Sequence, residues 1–429
     1  MSRLLIKRVS VLSFERKGSI IAEADIAIEG SRIVAIGRAP EDFRPDETLD
    51  GYNHLAVPGF WNAHTHAPMS LLRGYAEDMP GDRWFFERVR PAEALIDADD
   101  VYWGAALAAC EMIRGGTVAF NDHYFHMDRV VEVVGQSGMK ATLAWTQFGI
   151  PGVDVSADLA GAAAFAERWQ GAAGGRIRCV LGPHSPYICP PEFLREISAL
   201  AGARGLGLHI HVAETAQQVQ ESLASHGVTP VAYLEACGVL DVPCVAAHTI
   251  HASAEDVAIL SAHGASVVHC PISYLKLGLE VNDLRPMLDA GVNVALGTDG
   301  LASNNDMDMK AALRFTALMQ KSVRKDAETM PGDLPVRLAT TNGARAMGFP
   351  ESGALAAGRA ADIVLFDLDQ PHLYPRHDLV ANLVHSARAS DVTHVIVDGR
   401  LLYRDGALLT LDEEKIKAEV QRRVAKFAR

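Results

Sequence analysis

Two histidines, His64 and His66, stand two residues apart at the end of the apolar segment Val57-Pro58-Gly59-Phe60-Trp61-Asn62-Ala63. Along a β-strand, residues i and i+2 face the same side, so both imidazoles enter one interior. Imidazole nitrogens suit borderline-soft divalent cations, and the pair makes half of a metal site. A second group follows in His209-Ile210-His211-Val212-Ala213-Glu214, again where an apolar strand runs out. A further histidine beside a carboxylate is what hydrolysis by an activated water requires. A later strand ends in His248, and another runs into Gly297-Thr298-Asp299-Gly300. Taken singly, each of these is as readily a packed core histidine or a capping aspartate. Four such coincidences at strand ends point to one metal site.

The elements that must carry these residues are short apolar strands alternating with Ala-rich amphipathic helices. The strands include Ala141–Trp145, Cys179–Gly182, Leu208–His211, Cys244–His248, Ser266–His269 and Val292–Gly297. Strands apolar on both faces and separated by helices predict a parallel sheet covered by helices. Roughly eight such units over about 290 residues fit an α/β fold of the TIM-type (β/α)8 barrel, whose active sites sit at the C-terminal ends of the strands. A doubly wound open sheet is the alternative, weakened because no strand is followed by a Gly-rich phosphate loop.

The two ends of the chain have a different texture. Ile20, Ala22, Ala24, Ile26 and Ile28 alternate with Glu23, Asp25 and Glu29, and Gly30-Ser31-Arg32 turns into Ile33–Ile36. This is a hairpin signal. Similar strands return at Ala361–Phe366, His394–Val397 and Leu401–Tyr403. Neither end is large enough to bury a sheet face alone, so both termini are expected to build one small β-sandwich. The expected division is 1–56 plus 353–410 for the sandwich, 57–352 for the barrel and 411–429 for a charged C-terminal helix.

Bulk properties narrow the function classes. With 429 residues and a net charge of -13, the chain has room for a large core and lacks the basic balance that phosphate neutralisation asks of a nucleic-acid binder. No apolar run is long enough to span a bilayer, and Met1-Ser2-Arg3-Leu4-Leu5-Ile6-Lys7 does not lead into a secretory core. The 6 cysteines are scattered without a Cys-x-x-Cys pair and read as reduced, buried residues. A cytoplasmic protein acting on a small molecule is the expectation, with no nucleic-acid or membrane partner; assembly into a homo-oligomer stays open.

Among the other histidines, His184 in Gly182-Pro183-His184-Ser185-Pro186-Tyr187 follows a strand and faces the same mouth. His251 falls in the loop past His248 and reads as structural. His123, His126, His226, His263, His269, His372, His377, His385 and His394 show no comparable strand-end arrangement and read mostly as surface or packing residues.

These stretches resemble the amidohydrolase superfamily, in its cytosine-deaminase-like and chlorohydrolase-like branch that includes 5'-methylthioadenosine/S-adenosylhomocysteine deaminases. The likeness is carried by His64–Met69 with Leu71-Leu72-Arg73-Gly74, by Trp84 and Pro91-Ala92-Glu93, and by Gly182–Tyr187. It continues through His209–Thr215, Ala247-His248 and Gly297–Asn305. The resemblance implies that His64, His66, His211 and Asp299 ligate one divalent cation per subunit, zinc first, with iron or manganese as alternatives. It implies that Glu214 moves protons, that His248 orients the attacking oxygen and that Asp299 helps steer it. Glu93, His184, Trp84 and Glu214 are the implied substrate contacts.

The implied activity is hydrolytic removal of an exocyclic amine, as ammonia, from an adenine nucleoside such as 5'-methylthioadenosine or adenosine. Rival expectations are deamination or dechlorination of another amino-heterocycle (a pterin, a guanine-type base or an s-triazine) and a non-catalytic metal- or ligand-binding barrel. Two departures from the family pattern bear on substrate. Between Gly138 and Asp158 there is no Arg and only Lys140, which argues against S-adenosylhomocysteine, whose carboxylate needs a partner when desolvated. Tyr274 stands where the family often has Asn, and a larger ring there is expected to reshape the pocket.

Overall fold

The computed structural model describes residues 2–14, 19–149 and 154–427, so Met1 and the last two residues of the expected C-terminal segment lie outside it. Five strands open the chain: β1 (Arg3–Ser13), β2 (Ser19–Glu29), β3 (Arg32–Gly37), β4 (Glu47–Asp50) and β5 (His54–Pro58). Eight more follow: β6 (Phe60–Thr65), β7 (Thr117–Tyr124), β8 (Lys140–Gln147), β9 (Ile177–Pro183), β10 (Leu208–Val212), β11 (Cys244–His248), β12 (Ser266–His269) and β13 (Asn293–Leu296). The last four are β14 (Ile363–Asp367), β15 (Val392–Val397), β16 (Arg400–Arg404) and β17 (Ala407–Leu408).

Strands β6 to β13 form one all-parallel sheet in sequence order. A helix follows each of them, from Ala98–Arg114 after β6 to Met309–Arg324 after β13. All residues of β7, β10, β11, β12 and β13 are buried, as expected for strands covered on both faces. The two ends of the sheet meet across β6 and the segment after β13. There the Asp299 N–H donates to the His64 carbonyl at 3.0 Å, and the Thr298 N–H donates to Asn62 Oδ1 at 3.0 Å. Gly297 makes this seam possible, since a Cβ there would lie 2.8 Å from the His64 oxygen. The sequence therefore builds a TIM-type barrel.

The terminal strands hydrogen-bond into a separate nine-stranded mixed sheet, in the order β17-β16-β15-β14-β5-β1-β2-β3, with β4 paired to β1. The bridge between the two chain ends is the antiparallel pairing of β14 with β5. This sheet encloses its own apolar cluster, which includes Ile6, Val11, Ile26, Ile28, Ile363 and Ile396. The charged tail forms helix Glu413–Arg423, begun by Asp412, whose side chain accepts from the Lys415 N–H. All six cysteines are free and buried. No helix among the described residues is long and apolar enough to cross a membrane.

Lys140 ties barrel to terminal sheet. Its Nζ, at the start of β8, lies 2.6 Å from Asp362 Oδ2, 2.8 Å from Asp398 Oδ1 and 3.1 Å from Ser352 Oγ. The side chains of Lys140 and Asp362 are 4% and 1% exposed. Removing one member of a buried pair leaves the other charge uncompensated, at a cost of about 3–5 kcal/mol. Lys140→Met is thus expected to lower the denaturant midpoint sharply. An unchanged midpoint would show that the pair contributes nothing net.

Candidate metal centre and active site

The sequence-predicted residues converge where the barrel strands end. His64 lies in β6 and His66 just past it; His211 lies in β10 and Glu214 two residues beyond; His248 closes β11; Asp299 stands three residues after β13. The backbone is bent to present them. Ala213, His248, Thr249 and Asp299 all have positive φ, at 47°, 70°, 51° and 63°. Left-handed backbone is unfavourable for residues with a Cβ, and its concentration here marks a site whose geometry outweighs local preference.

Hydrogen bonds define the ring protons of two histidines. His66 Nδ1 lies 2.6 Å from the His123 carbonyl, and His211 Nδ1 lies 2.8 Å from the His184 carbonyl. A carbonyl only accepts, so each Nδ1 carries the proton and each Nε2 presents a lone pair. Those two Nε2 atoms are 3.3 Å apart. Facing lone pairs repel unless a cation lies between them.

Asp299 Oδ1 completes the arrangement, 3.5 Å from His64 Nε2 and 3.4 Å from His66 Nε2. Ligands about 2.1 Å from a tetrahedral cation are about 3.4 Å from one another. His64 Nε2 is buried with no hydrogen-bond partner, as a waiting ligand would be. His64, His66 and Asp299 form one group of potential ligands whose atoms all lie within 4.8 Å, and His64, His211 and His248 form another. These residues fit a divalent cation.

Electrostatics agree with the geometry. Burial pushes His64 down to about 3 and also lowers His66 and His211, so all three imidazoles are neutral and able to ligate. Burial alone would raise Asp299, yet its carboxyl, hydrogen-bonded at both oxygens, is held well below the ordinary range. Its second oxygen is fixed by Ser273 Oγ and Ser303 Oγ, both at 2.7 Å, while the Gly300 N–H donates to Oδ1 at 2.8 Å.

Glu214 faces His248 across 3.8 Å. Burial raises its pKa, opposed by His248 and reinforced by Asp299. Its backbone is anchored by the capping box of the following helix: Gln218 Oε1 accepts from the N–H groups of Glu214 and Thr215, and Thr215 Oγ1 accepts from the Gln218 N–H.

The residues expected at the substrate are more widely spread. His184 follows β9, stacks on Phe148 at 5.2 Å and lies 4.8 Å from the His211 ring. Trp84 and Glu93 belong to the excursion between β6 and β7; Trp84 is half-buried, with an indole N–H that has no partner among the described residues. Glu93 is pushed up to about 7 by burial, with Tyr124 and the Arg90 charge pulling the other way. Arg90 is exposed, and its charge also reaches His184.

Several neighbours escaped the sequence reading. His123 was grouped with packing histidines, but it is the penultimate residue of β7, 1% exposed, and forms a potential ligand group with His66 and His211. His269 is the last residue of β12 and is also fully buried. Both are legible as apolar strands running into histidine, through the polar pair Asn121-Asp122 in Val118-Ala119-Phe120-Asn121-Asp122-His123 and directly in Val267-Val268-His269. Ser273, Ser303 and Phe148 carried no comparable signal. Tyr274 is buried; its hydroxyl accepts from the Cys270 N–H at 2.9 Å, and its ring packs against His248 and His269. It therefore supports the floor beneath His248. His251 Nε2 lies 3.4 Å from a Glu280 carboxylate oxygen.

Comparison with known proteins places this architecture. A protein from Pelotomaculum thermopropionicum named 5-methylthioadenosine/S-adenosylhomocysteine deaminase is 42% identical over 430 residues, covering 100% of this chain and 99% of its own. The crystal structure of an adenosine deaminase from Xanthomonas campestris with bound zinc superposes with a TM-score of 0.96 at 32% identity, over 99% of this chain and 98% of that one. Atrazine chlorohydrolase from Arthrobacter aurescens, complexed with zinc, shares the fold with a TM-score of 0.92 at 24% identity, over 98% of this chain and 100% of that one. The model of the Amidohydrolase family matches residues 55–402. With histidines at the ends of parallel barrel strands and a sequence match across most of its length, this chain belongs to the amidohydrolase family.

Proposed function

We propose that this protein is a metal-dependent aminohydrolase that converts an adenine nucleoside, of the 5'-methylthioadenosine or adenosine type, to its 6-oxo product and ammonia. The observation that carries the chemistry is the set of facing lone pairs on His66 and His211 beside Asp299 and Glu214. The substrate class rests on relatives named as deaminases of such nucleosides, similar over the full chain. The triazine hydrolases share the fold at lower identity, which supports no substrate.

His64, His66, His211 and Asp299 would hold a divalent cation, which when bound would supply the Lewis acidity that makes water a nucleophile near neutral pH. Glu214 takes one proton from the attacking water and delivers it to the ring nitrogen. His248, 3.8 Å from Glu214, orients the incoming oxygen. The second water proton passes through Glu214 to the exocyclic amine, the bond from the ring carbon to that amine breaks as the carbonyl forms, and ammonia leaves. A buried carboxyl with a raised pKa suits a group that must both accept and return a proton.

Glu93 is assigned to the sugar hydroxyls, for which an ionised carboxylate is the better acceptor. Its carboxyl ionises as pH rises through about 7, so KM for the nucleoside should fall across that range. Glu93→Ala is expected to raise KM for the nucleoside and remove this pH dependence, with little effect on a free base. Equal losses for nucleoside and base would remove Glu93 from sugar recognition.

The defining experiment is ammonia release by zinc-loaded protein from adenosine, 5'-methylthioadenosine, S-adenosylhomocysteine, guanine, a pterin and an s-triazine. Turnover confined to the last three would overturn the proposal. S-adenosylhomocysteine is a separate arm: the segment 138–158 offers no arginine, yet Arg90 brings a cation close to Glu93 and His184.

A further inference from the structure

The two histidines with defined ring protons are aimed by backbone carbonyls, which no substitution at the accepting residue removes. His64 is aimed differently. Its Nδ1 lies 2.9 Å from Nε2 of His209, and the rings meet edge to face at 80° with centroids 5.0 Å apart. Both side chains are 0% exposed. His209 precedes His211 by two residues on β10, so it points into the same interior, one layer deeper.

Of two facing ring nitrogens, one must donate and the other accept. If His64 is to offer Nε2 to a cation, its proton belongs on Nδ1, and His209 Nε2 must be the acceptor. The opposite arrangement, with His209 donating, places the His64 proton on Nε2, which faces Asp299 and the cation position. His209 thus selects the tautomer on which ligation depends. Its own proton then occupies Nδ1, an atom buried with no hydrogen-bond partner among the described residues; the cost of that unpaired donor is offset only if a cation takes the His64 Nε2 lone pair.

We propose that His209 is a positioning residue: it accepts the Nδ1 proton of His64 and thereby fixes the ring and tautomer through which His64 binds the cation. This rests on the metal reading above. Outer-shell partners of ligating histidines typically change metal affinity by roughly 10–100-fold when removed.

The test compares zinc affinity, by competition with a chromophoric chelator, for the wild-type full chain and for His209→Leu, His209→Met and His209→Gln. Gln retains an acceptor oxygen, whereas Leu fills similar space without one and Met offers only a weak sulfur acceptor. The expected result is a roughly 10–100-fold loss of affinity for Leu and Met, with Gln restoring most of it. The visible spectrum of the cobalt-substituted protein should shift in the same order. If Leu proves insoluble, Met against Gln decides the question in the same way. Wild-type affinity in Leu or Met, or equal loss in Gln, would overturn the proposal. Failure of the wild-type chain to bind zinc at all would instead remove the proposed function, so the two failures are distinct.

Discussion

Glu214→Gln is expected to retain one zinc per chain while its kcat/KM for deamination falls by roughly two or more orders of magnitude, the usual contribution of a positioned acid–base group. The substitution is nearly isosteric. The Glu214 backbone N–H is held by Gln218 Oε1 irrespective of the Glu214 side chain, so the amide should sit where the carboxylate does. What it cannot do is accept a proton from water and return it. Glu214 lies outside the ligand set, which predicts unchanged metal content. Because burial raises the Glu214 pKa, wild-type activity should decline on the acid side as the carboxyl protonates and loses its role as base. That limb should vanish in Glu214→Gln. Wild-type turnover by the variant, measured by ammonia release, would eliminate the proton shuttle; loss of zinc would show that Glu214 serves the cation instead.

Removing the cation should have a still larger effect. Chelation, or His66→Ala, is expected to reduce turnover by at least about three orders of magnitude, since the water loses the Lewis acid that makes it reactive near neutrality. The effect should extend to stability. Without a cation, the lone pairs of His66 and His211 face each other at 3.3 Å and the buried Asp299 loses its counter-charge. A ligand bound only by the folded state contributes about 4 kcal/mol at a thousand times its dissociation constant. The Tm should therefore rise with added zinc in the wild type and much less in His66→Ala. Elemental analysis and a zinc-titrated melting curve check both parts. Full activity in chelator-treated protein that contains no divalent metal would end the hydrolytic mechanism.

The substrate contacts are less tightly drawn than the cation site for a physical reason. The proposed ligands sit on strand ends whose positions are set by the barrel, whereas Trp84 and Glu93 belong to a long excursion between β6 and β7. Such connections carry recognition because their sequence can vary without disturbing the strands beneath. Arg90 illustrates this. It brings positive charge near Glu93 and His184 from that excursion, not from the segment around Lys140.

Local sequence determined what depends on short periods. A spacing of two put His64 beside His66, and apolar strands alternating with helices implied a parallel barrel with its chemistry at one end. The turn chemistry and alternation near both termini announced a second sheet. Tertiary structure alone decided which carbonyl aims which imidazole, that His64 leans on His209, and that Ser273 and Ser303 clamp Asp299. It also revealed that Lys140, the lone cation between Gly138 and Asp158, is spent on Asp362 and Asp398. Apart from Ser303, four residues from Asp299, these partners are tens to hundreds of residues apart in the chain. Their meeting is set by strand register and loop path, which no local periodicity encodes.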